Sequence, residues 1–253
     1  MIGSLAIVGL GPGPDCWIAP EASSVIAAAS DIVGYQPYVD RLPERAGQRR
    51  HGSDNRVEID RARHALRMAS DGLRVAVVSG GDPGVFAMAA AVFEAVEAGD
   101  PLWRMLDITV VPGISAMQAA AARLGAPLGH DFCAISLSDN LKPWAIVERR
   151  LRAAAEGDFV IALYNPASKA RPERIHQAFE LLRDCKSAGT PVAFARSIGR
   201  ADEQIALMTL GDADPALADM STLVMIGSSE TRFIERPGKL PWLLTPRSYG
   251  AAR

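Results

Sequence analysis

The stretch Ala76-Val77-Val78-Ser79-Gly80-Gly81-Asp82-Pro83-Gly84-Val85-Phe86 changes character in mid-course. The run Val75 to Val78 is short, apolar and mostly β-branched, which is the pattern of a buried strand. Ser79 to Gly84 breaks it. Val85, Phe86, Met88, Ala89, Val92, Phe93 and Val96 then recur at helical spacing, so a helix is expected from about residue 85 to Gly99. Strand, glycine-rich turn and helix start make the usual geometry for holding a small ligand at the carboxyl end of a sheet. Paired glycines let backbone approach a ligand. Asp82 offers a carboxylate there, or serves the turn itself as a helix cap.

The same strand–glycine–helix unit recurs on either side. Leu5 to Val8 reads as a first strand, followed by Gly9-Leu10-Gly11-Pro12-Gly13-Pro14-Asp15. That loop resembles a dinucleotide fingerprint, but Pro12 and Pro14 carry no amide hydrogen and cannot complete a nest of donors around a pyrophosphate. A rigid, backbone-lined rim beside a ligand suits it better. A helix is expected from Pro20 to about Ser30 and a strand over Asp31 to Gly34. Leu106 to Val111 reads as a strand ending in Pro112-Gly113-Ile114-Ser115-Ala116, with a small-residue helix from Met117 to Leu124. This alternation predicts a mostly parallel sheet with helices on its faces. Residues 35–57 read as a long surface excursion, followed by a helix at about 58–72. Between Arg41 and Arg67 stand eight arginines (41, 45, 49, 50, 56, 61, 63 and 67) against Glu44, Asp54, Glu58 and Asp60, in a chain of net charge −2. The segment is either a solvated face or a basic rim that steers a polyanionic small molecule, for which the arginine fork is suited.

Gly125 to Gly129 reads as a linker between an N-terminal domain (1–124) and a C-terminal one (130–253). The second half opens with a strand from Phe132 to Leu137 and a polar stretch Ser136 to Trp144. Further strands are expected at 159–163, 191–197, 205–210 and 222–226, and helices from Pro143 and over 172–186. Its short connections allow a mixed or antiparallel sheet. The chain of 253 residues, 49% hydrophobic and 22% charged, can bury its own core. Its small net charge favours neither nucleic acid nor membrane as partner. No apolar run is long enough to span a bilayer, and Met1 to Leu10 lacks the basic start of a signal peptide. Cys16, Cys133 and Cys185 fit no disulfide or metal spacing. A cytoplasmic protein without a metal site is expected.

The loop at 9–13, Ser79 to Pro83, Pro112 to Ala116 and the second α/β half coincide in order and spacing over nearly the whole chain. Together they resemble the tetrapyrrole methyltransferase superfamily, whose members use S-adenosylmethionine. Val33 to Tyr38, Asp131 to Asp139 and Leu163 to Lys169 are similar to the branch that methylates and ring-contracts a cobalamin precursor. The resemblance implies two unlike α/β domains with the cofactor between them, and a homodimer. It implies cofactor binding by Pro12, by Gly81, Asp82, Val85 and Phe86, by Ser115 and Ala116, and by Leu163, Tyr164 and Asn165. Pro14 stands where many members carry an acid, and Asp15 follows one place later. A polycarboxylate tetrapyrrole as substrate, handed over by a neighbouring pathway enzyme, would give Arg49 and Arg50 a binding role.

Methyl transfer from a sulfonium to an enamine-like carbon needs alignment more than acid–base help. Ring contraction does need a base near a hydroxyl and an acid near the opened lactone. Tyr35, Asp15, Ser138 and Asp139 are the candidates, with His64 and His130 behind them. Competing readings are the enzyme for the cobalt-loaded counterpart substrate, a diphthine synthase on the same scaffold, a dinucleotide-binding oxidoreductase and a non-catalytic tetrapyrrole-binding module.

Overall fold

The protein is described here from a computed structural model covering residues 3–55, 57–167 and 171–249. Packing divides the chain into two compact units, Met1–Ala116 and Met117–Arg253. Arg56 of the basic segment, and Ser168 and Lys169 of the 163–169 motif, lie outside the described residues.

The first unit contains β1 (Ser4–Gly9), α1 (Pro20–Ala28), β2 (Asp31–Tyr35), α2 (Gln36–Val39), β3 (Arg49–Ser53), α3 (Glu58–Ser70), β4 (Arg74–Ser79), α4 (Met88–Ala98) and β5 (Asp107–Val111). Its five strands lie in the order β3-β2-β4-β1-β5, and every pairing is parallel. Alternation along each strand divides the core in two. Leu5, Ile7, Val33, Val75 and Val77 meet the apolar faces of α3 and α4. Ala6, Val8, Ile32, Ala76 and Val78 meet Ala22 and Ile26 of α1, with Val39 and Leu42. β1, β2 and β4 are covered on both faces, so these three strands can be apolar throughout, as a buried parallel sheet requires.

Two expectations in this half are corrected. The helix after the central turn starts at Met88 rather than 85, because the turn extends to Ala87 and Phe86 takes φ 53°. The 35–57 segment is not all loop: it supplies α2 and the edge strand β3, paired residue for residue with β2 from Asp31–Arg49 to Tyr35–Ser53. β3 reads Arg-Arg-His-Gly-Ser, with no apolar alternation to betray it. Its polar side chains are met locally instead. Asp31, fully buried, accepts from Arg49 through both oxygens (2.8 and 3.1 Å), from Ser30 at 2.8 Å, and lies 2.9 Å from His51 Nε2.

The second unit contains α5 (Ala116–Leu124), β6 (Gly125–Ala126), β7 (Phe132–Ser136), α6 (Trp144–Glu156), β8 (Val160–Tyr164), α7 (Arg174–Cys185), β9 (Pro191–Arg196), β10 (Gln204–Thr209), β11 (Thr222–Ile226), β12 (Arg232–Arg236) and β13 (Lys239–Leu244). Its main sheet, β10-β9-β11-β8-β7, is mixed: β7 and β8 run parallel, and the other pairs antiparallel. One face carries Ile135, Ile161, Leu163, Val192, Phe194, Val224 and Ile226 against α6 and α7, with Phe179 stacked on Phe194 at 5.8 Å. The packing boundary precedes the glycine–proline segment expected as linker. Gly125 and Ala126 pair in parallel with Leu243 and Leu244, completing a small sheet with β12 and β13. Two further strands, β12 and β13, thus follow Ile226. β12 and β13 escape the pattern because they are largely exposed.

Among the described residues, no helix is long and apolar enough to cross a membrane.

Candidate functional site

The carboxyl ends of three neighbouring strands, β4, β1 and β5, carry the three glycine turns. They are stitched into one platform by backbone. Leu10 N donates to Ser79 O at 2.9 Å, and Gly11 and Gly81 exchange N–H···O bonds at 3.1 Å each way. Gly11 (φ 65°) and Gly81 (φ 70°) occupy the left-handed region that favours glycine. A Cβ at Gly9 would lie 2.7 Å from Gly113 N and 2.8 Å from Gly81 O, and one at Gly113 would run into the Gly81 carbonyl. Glycine is needed at both positions so that three backbones can meet.

Asp82 supplies the side-chain tie. Its Oδ1 accepts from Gly84 N at 2.8 Å and its Oδ2 from Gly113 N at 2.9 Å. The carboxylate thus closes its own turn and clamps the second loop to the third. Val85 is half-buried. Phe86 is 51% exposed on a strained backbone, a combination that recurs at ligand clamps. Ser115 is buried, and Ala116 begins α5.

The first loop presents its carbonyls inward. Arg41 donates to Gly11 O (3.0 Å), Leu10 O (3.2 Å) and Gly13 O (2.6 Å). With Pro12 and Pro14 lacking amide hydrogens, this loop does not make an anion-binding nest. Pro12 is half-buried in it, while Asp15 is exposed at the start of a short 3-10 turn. A neutral, backbone-lined rim fits a sulfonium cofactor better than a pyrophosphate. Gly81 adds an open face, for nothing lies closer than 3.9 Å to the Cβ it lacks.

Tyr35 ends β2, at the same edge of the sheet. Its ring meets that of Tyr38 edge-on at 5.3 Å, and Tyr38 lies against Gly80. Of the arginines expected as a basic rim, Arg45, Arg63 and Arg67 are exposed, while Arg49, Arg50 and Arg61 bond to partners in their own unit. Arg49 grips Asp31, and Arg50 donates to Val39 O (3.4 Å) and Leu42 O (2.8 Å). Arg61 is buried at 5% exposure, donating to Ser53 Oγ, Asp54 O and Met88 Sδ. Burial pulls its pKa down. Charge counting along the chain could not separate such arginines from solvated ones. His64 packs beside His51 (5.3 Å), and His130 beside Tyr249 (4.7 Å); the latter pair belongs to a C-terminal contact in the second unit.

In the second unit, Leu163 is fully buried and Tyr164 ends β8. The Tyr164 hydroxyl accepts from Met117 N, in the first turn of α5, at 3.0 Å. Asn165 takes φ 52°, and its Nδ2 donates to Ser136 Oγ at 2.9 Å. Ser138 and Asp139 follow on the neighbouring strand's exit. Arg171 Nη1 donates to Ser138 Oγ (3.0 Å) and Asp139 Oδ1 (2.8 Å), while Arg174 donates to Asp139 Oδ2 from Nε at 2.8 Å. Arg171's hydrogen bond, helped by Arg174 and opposed by burial, holds Asp139 below the usual carboxylate range. A carboxylate so held is a poor proton acceptor at neutral pH. Both carboxylate oxygens of Asp139, one of the proton-transfer candidates, are thus engaged by guanidiniums. Arg41, Arg171 and Arg174 were not singled out from sequence as site residues. Their spacing carries no motif, and only folding brings them to these partners.

Residues 4–214 match the family model described as Tetrapyrrole (Corrin/Porphyrin) Methylases. A precorrin-3B C(17)-methyltransferase from Sinorhizobium sp is 57% identical over 252 residues, covering 100% of this chain and 99% of that one. A probable cobalt-factor III C(17)-methyltransferase from Salmonella typhimurium is 41% identical over 248 residues, covering 97% and 99%. The crystal structure of the methyltransferase CobJ superposes with a TM-score of 0.92 at 52% identity, over 96% of this chain and 100% of that one.

Proposed function

The chain belongs to the tetrapyrrole (corrin/porphyrin) methylases, and from that premise we propose that it methylates C17 of precorrin-3B and contracts the ring to give precorrin-4, in cobalamin biosynthesis. S-adenosylmethionine, when bound, supplies an activated methyl group on a sulfonium. The observation that carries the reading from the structure is the three-loop platform, with Gly9, Gly81 and Gly113 in backbone contact and Asp82 as clamp. A platform so preorganised aligns a donor without side-chain chemistry, and alignment alone can supply roughly 7–11 kcal/mol of the barrier.

In this reading Pro12, Gly81, Asp82, Val85, Phe86, Ser115 and Ala116 hold the cofactor from the first unit, with Leu163, Tyr164 and Asn165 contributing from the second. The residue-by-residue match to the family motifs supports that assignment. Tyr35 handles a proton in the contraction; its place at the strand ends that carry the loops supports this. Asp15, being exposed, and Ser138, being held by Arg171, are left as secondary proton carriers. Dimerisation, and delivery of the substrate by a preceding pathway enzyme, are carried over from the resemblance; light scattering on the purified protein tests the first.

Anaerobic incubation with precorrin-3B and methyl-labelled S-adenosylmethionine, read by mass spectrometry and absorbance, tests the function. Gain of one labelled methyl with a changed chromophore is expected. No transfer to precorrin-3B, but transfer to the cobalt-loaded counterpart, would move the assignment to the reaction named for the Salmonella relative.

A further inference from the structure

Around Asp139 one carboxylate serves two guanidiniums, and the two are not equally provided for. Arg174 is fully engaged: Nε and Nη2 meet Asp139 Oδ2, Nη1 meets Gln177 Oε1 at 2.8 Å, and the guanidinium lies over the Trp144 ring at 4.8 Å. Glu173 approaches its Nε at 3.6 Å. Arg171 is anchored through Nη1 alone, to Ser138 Oγ and Asp139 Oδ1. Its Nε and Nη2 take no acceptor among the described residues, although the side chain is only 18% exposed. Those two nitrogens form the side-on edge that pairs bidentately with a carboxylate.

Lys142 stands nearby, half-buried, with no hydrogen-bond acceptor among the described residues. It lies within electrostatic reach of Arg150, Asp139 and Arg171. Burial, then the like charges of Arg150 and Arg171, pull its pKa down. Positive charge therefore exceeds negative here, in a partly desolvated place, on an arginine whose position is already fixed by the fold.

We propose that the Nε/Nη2 edge of Arg171, together with Lys142 Nζ, is a docking point for one carboxylate side chain of the substrate. Ser138 and Asp139 are its positioning residues. The proposal rests on the tetrapyrrole reading above for its ligand, since that substrate carries acetate and propionate arms. It gives the Ser138–Asp139 stretch a positioning task, and it moves substrate-carboxylate recognition away from Arg49 and Arg50.

Three variants test it: Arg171→Lys, Arg171→Ala and Lys142→Ala. Arg171→Lys keeps the charge but loses the fork. Lys142→Ala removes no internal hydrogen bond seen here, so it stays informative if Arg171→Ala disturbs Asp139. The expected result is a KM for precorrin-3B raised by about tenfold in Arg171→Ala and by a few-fold in the other two, the scale of one charge-assisted contact. kcat and the Kd for S-adenosylhomocysteine should stay at wild-type values. An unchanged KM in both Lys142→Ala and Arg171→Lys would overturn the proposal, as would a cofactor Kd that worsens in step with KM. If the wild type does not turn over precorrin-3B, the functional reading fails by itself. Fluorescence titration with uroporphyrin, a stable octacarboxylate, then decides the site: weaker binding by Lys142→Ala and Arg171→Ala supports it, and equal binding removes it.

Discussion

Asp82→Asn is the sharpest probe of the platform. The wild-type carboxylate has an oxygen for each of two backbone donors, Gly84 N at 2.8 Å and Gly113 N at 2.9 Å. Asparagine has the same shape but one acceptor oxygen. If it keeps Gly113, the more buried partner, its NH2 faces the Gly84 N–H. Hydrogen bonds to a charged acceptor contribute about 1.5–3 kcal/mol and neutral ones about 0.5–1.5 kcal/mol, so the retained bond weakens by about 1 kcal/mol. The lost one is exposed, and water relieves it in part, for about 1 kcal/mol more. A total of about 2 kcal/mol corresponds to a fall in melting temperature of about 4–8 °C at this chain length. It also bounds the loss of cofactor affinity at about thirtyfold, the limit reached when the loosened loops dominate the free protein. Calorimetric titration with S-adenosylhomocysteine and thermal unfolding followed by circular dichroism measure the two effects. Wild-type affinity together with a wild-type melting temperature would refute the claim that Asp82 clamps the second loop to the third.

Gly113→Ala attacks the same contact from the other side. Its Cβ would collide with the Gly81 carbonyl and approach Gly9 Cα at 2.9 Å, so it should cost about 1–3 kcal/mol and weaken S-adenosylhomocysteine binding. Combined with Asp82→Asn, the loss should be less than additive, because both act on one tie; full additivity would mean the loops are held separately. Tyr35→Phe should slow ring contraction while leaving methyl transfer and cofactor affinity intact; equal slowing of both steps would remove the phenol from proton handling. Arg49→Ala and Arg50→Ala, which free Asp31 and the Val39 and Leu42 carbonyls, should lower the melting temperature without changing the substrate KM, and a salt-dependent rise in KM would return them to the substrate. Asp158 tests pH dependence. Burial works against its charge, but hydrogen bonds from Ser229, Tyr249 and Lys186 outweigh it and bring its pKa down from 3.8 to about 2. Its contribution, about 2 kcal/mol, is therefore complete above about pH 4 and lost as pH falls through about 2. Asp158→Asn should be less stable than wild type at pH 7, and the gap should close in acid denaturation below pH 3; a gap constant with pH would sink the assignment.

The architecture was legible because it rests on local pattern. Apolar β-branched runs broken by glycine, then helical spacing, mark the central βα units of the first half wherever a strand is buried on both faces. The residues around Gly9, Gly81 and Gly113 could be picked out for the same reason, since the strand ends announce themselves and the family resemblance rests on those motifs. The strand Arg49–Ser53 was not legible, because an edge strand satisfied by salt bridges needs no apolar alternation. Nor were Arg232–Arg236 and Lys239–Leu244, which are largely exposed.

What only the tertiary structure decided is the task of each charged side chain. From the chain, Arg41, Arg49, Arg50 and Arg61 look alike. Folded, one braces the first glycine loop, one grips a buried aspartate, one caps two carbonyls and one is buried beside Met88. Asp139 reads from the chain as one proton-transfer candidate among four; folded, its two oxygens are taken by Arg171 and Arg174, which follow it in the chain by 32 and 35 residues. Hydrophobic burial acts through periodicity and is written along the sequence. The pairing of an ionic group depends on which distant residue the fold delivers within about 3 Å, and no local pattern encodes that.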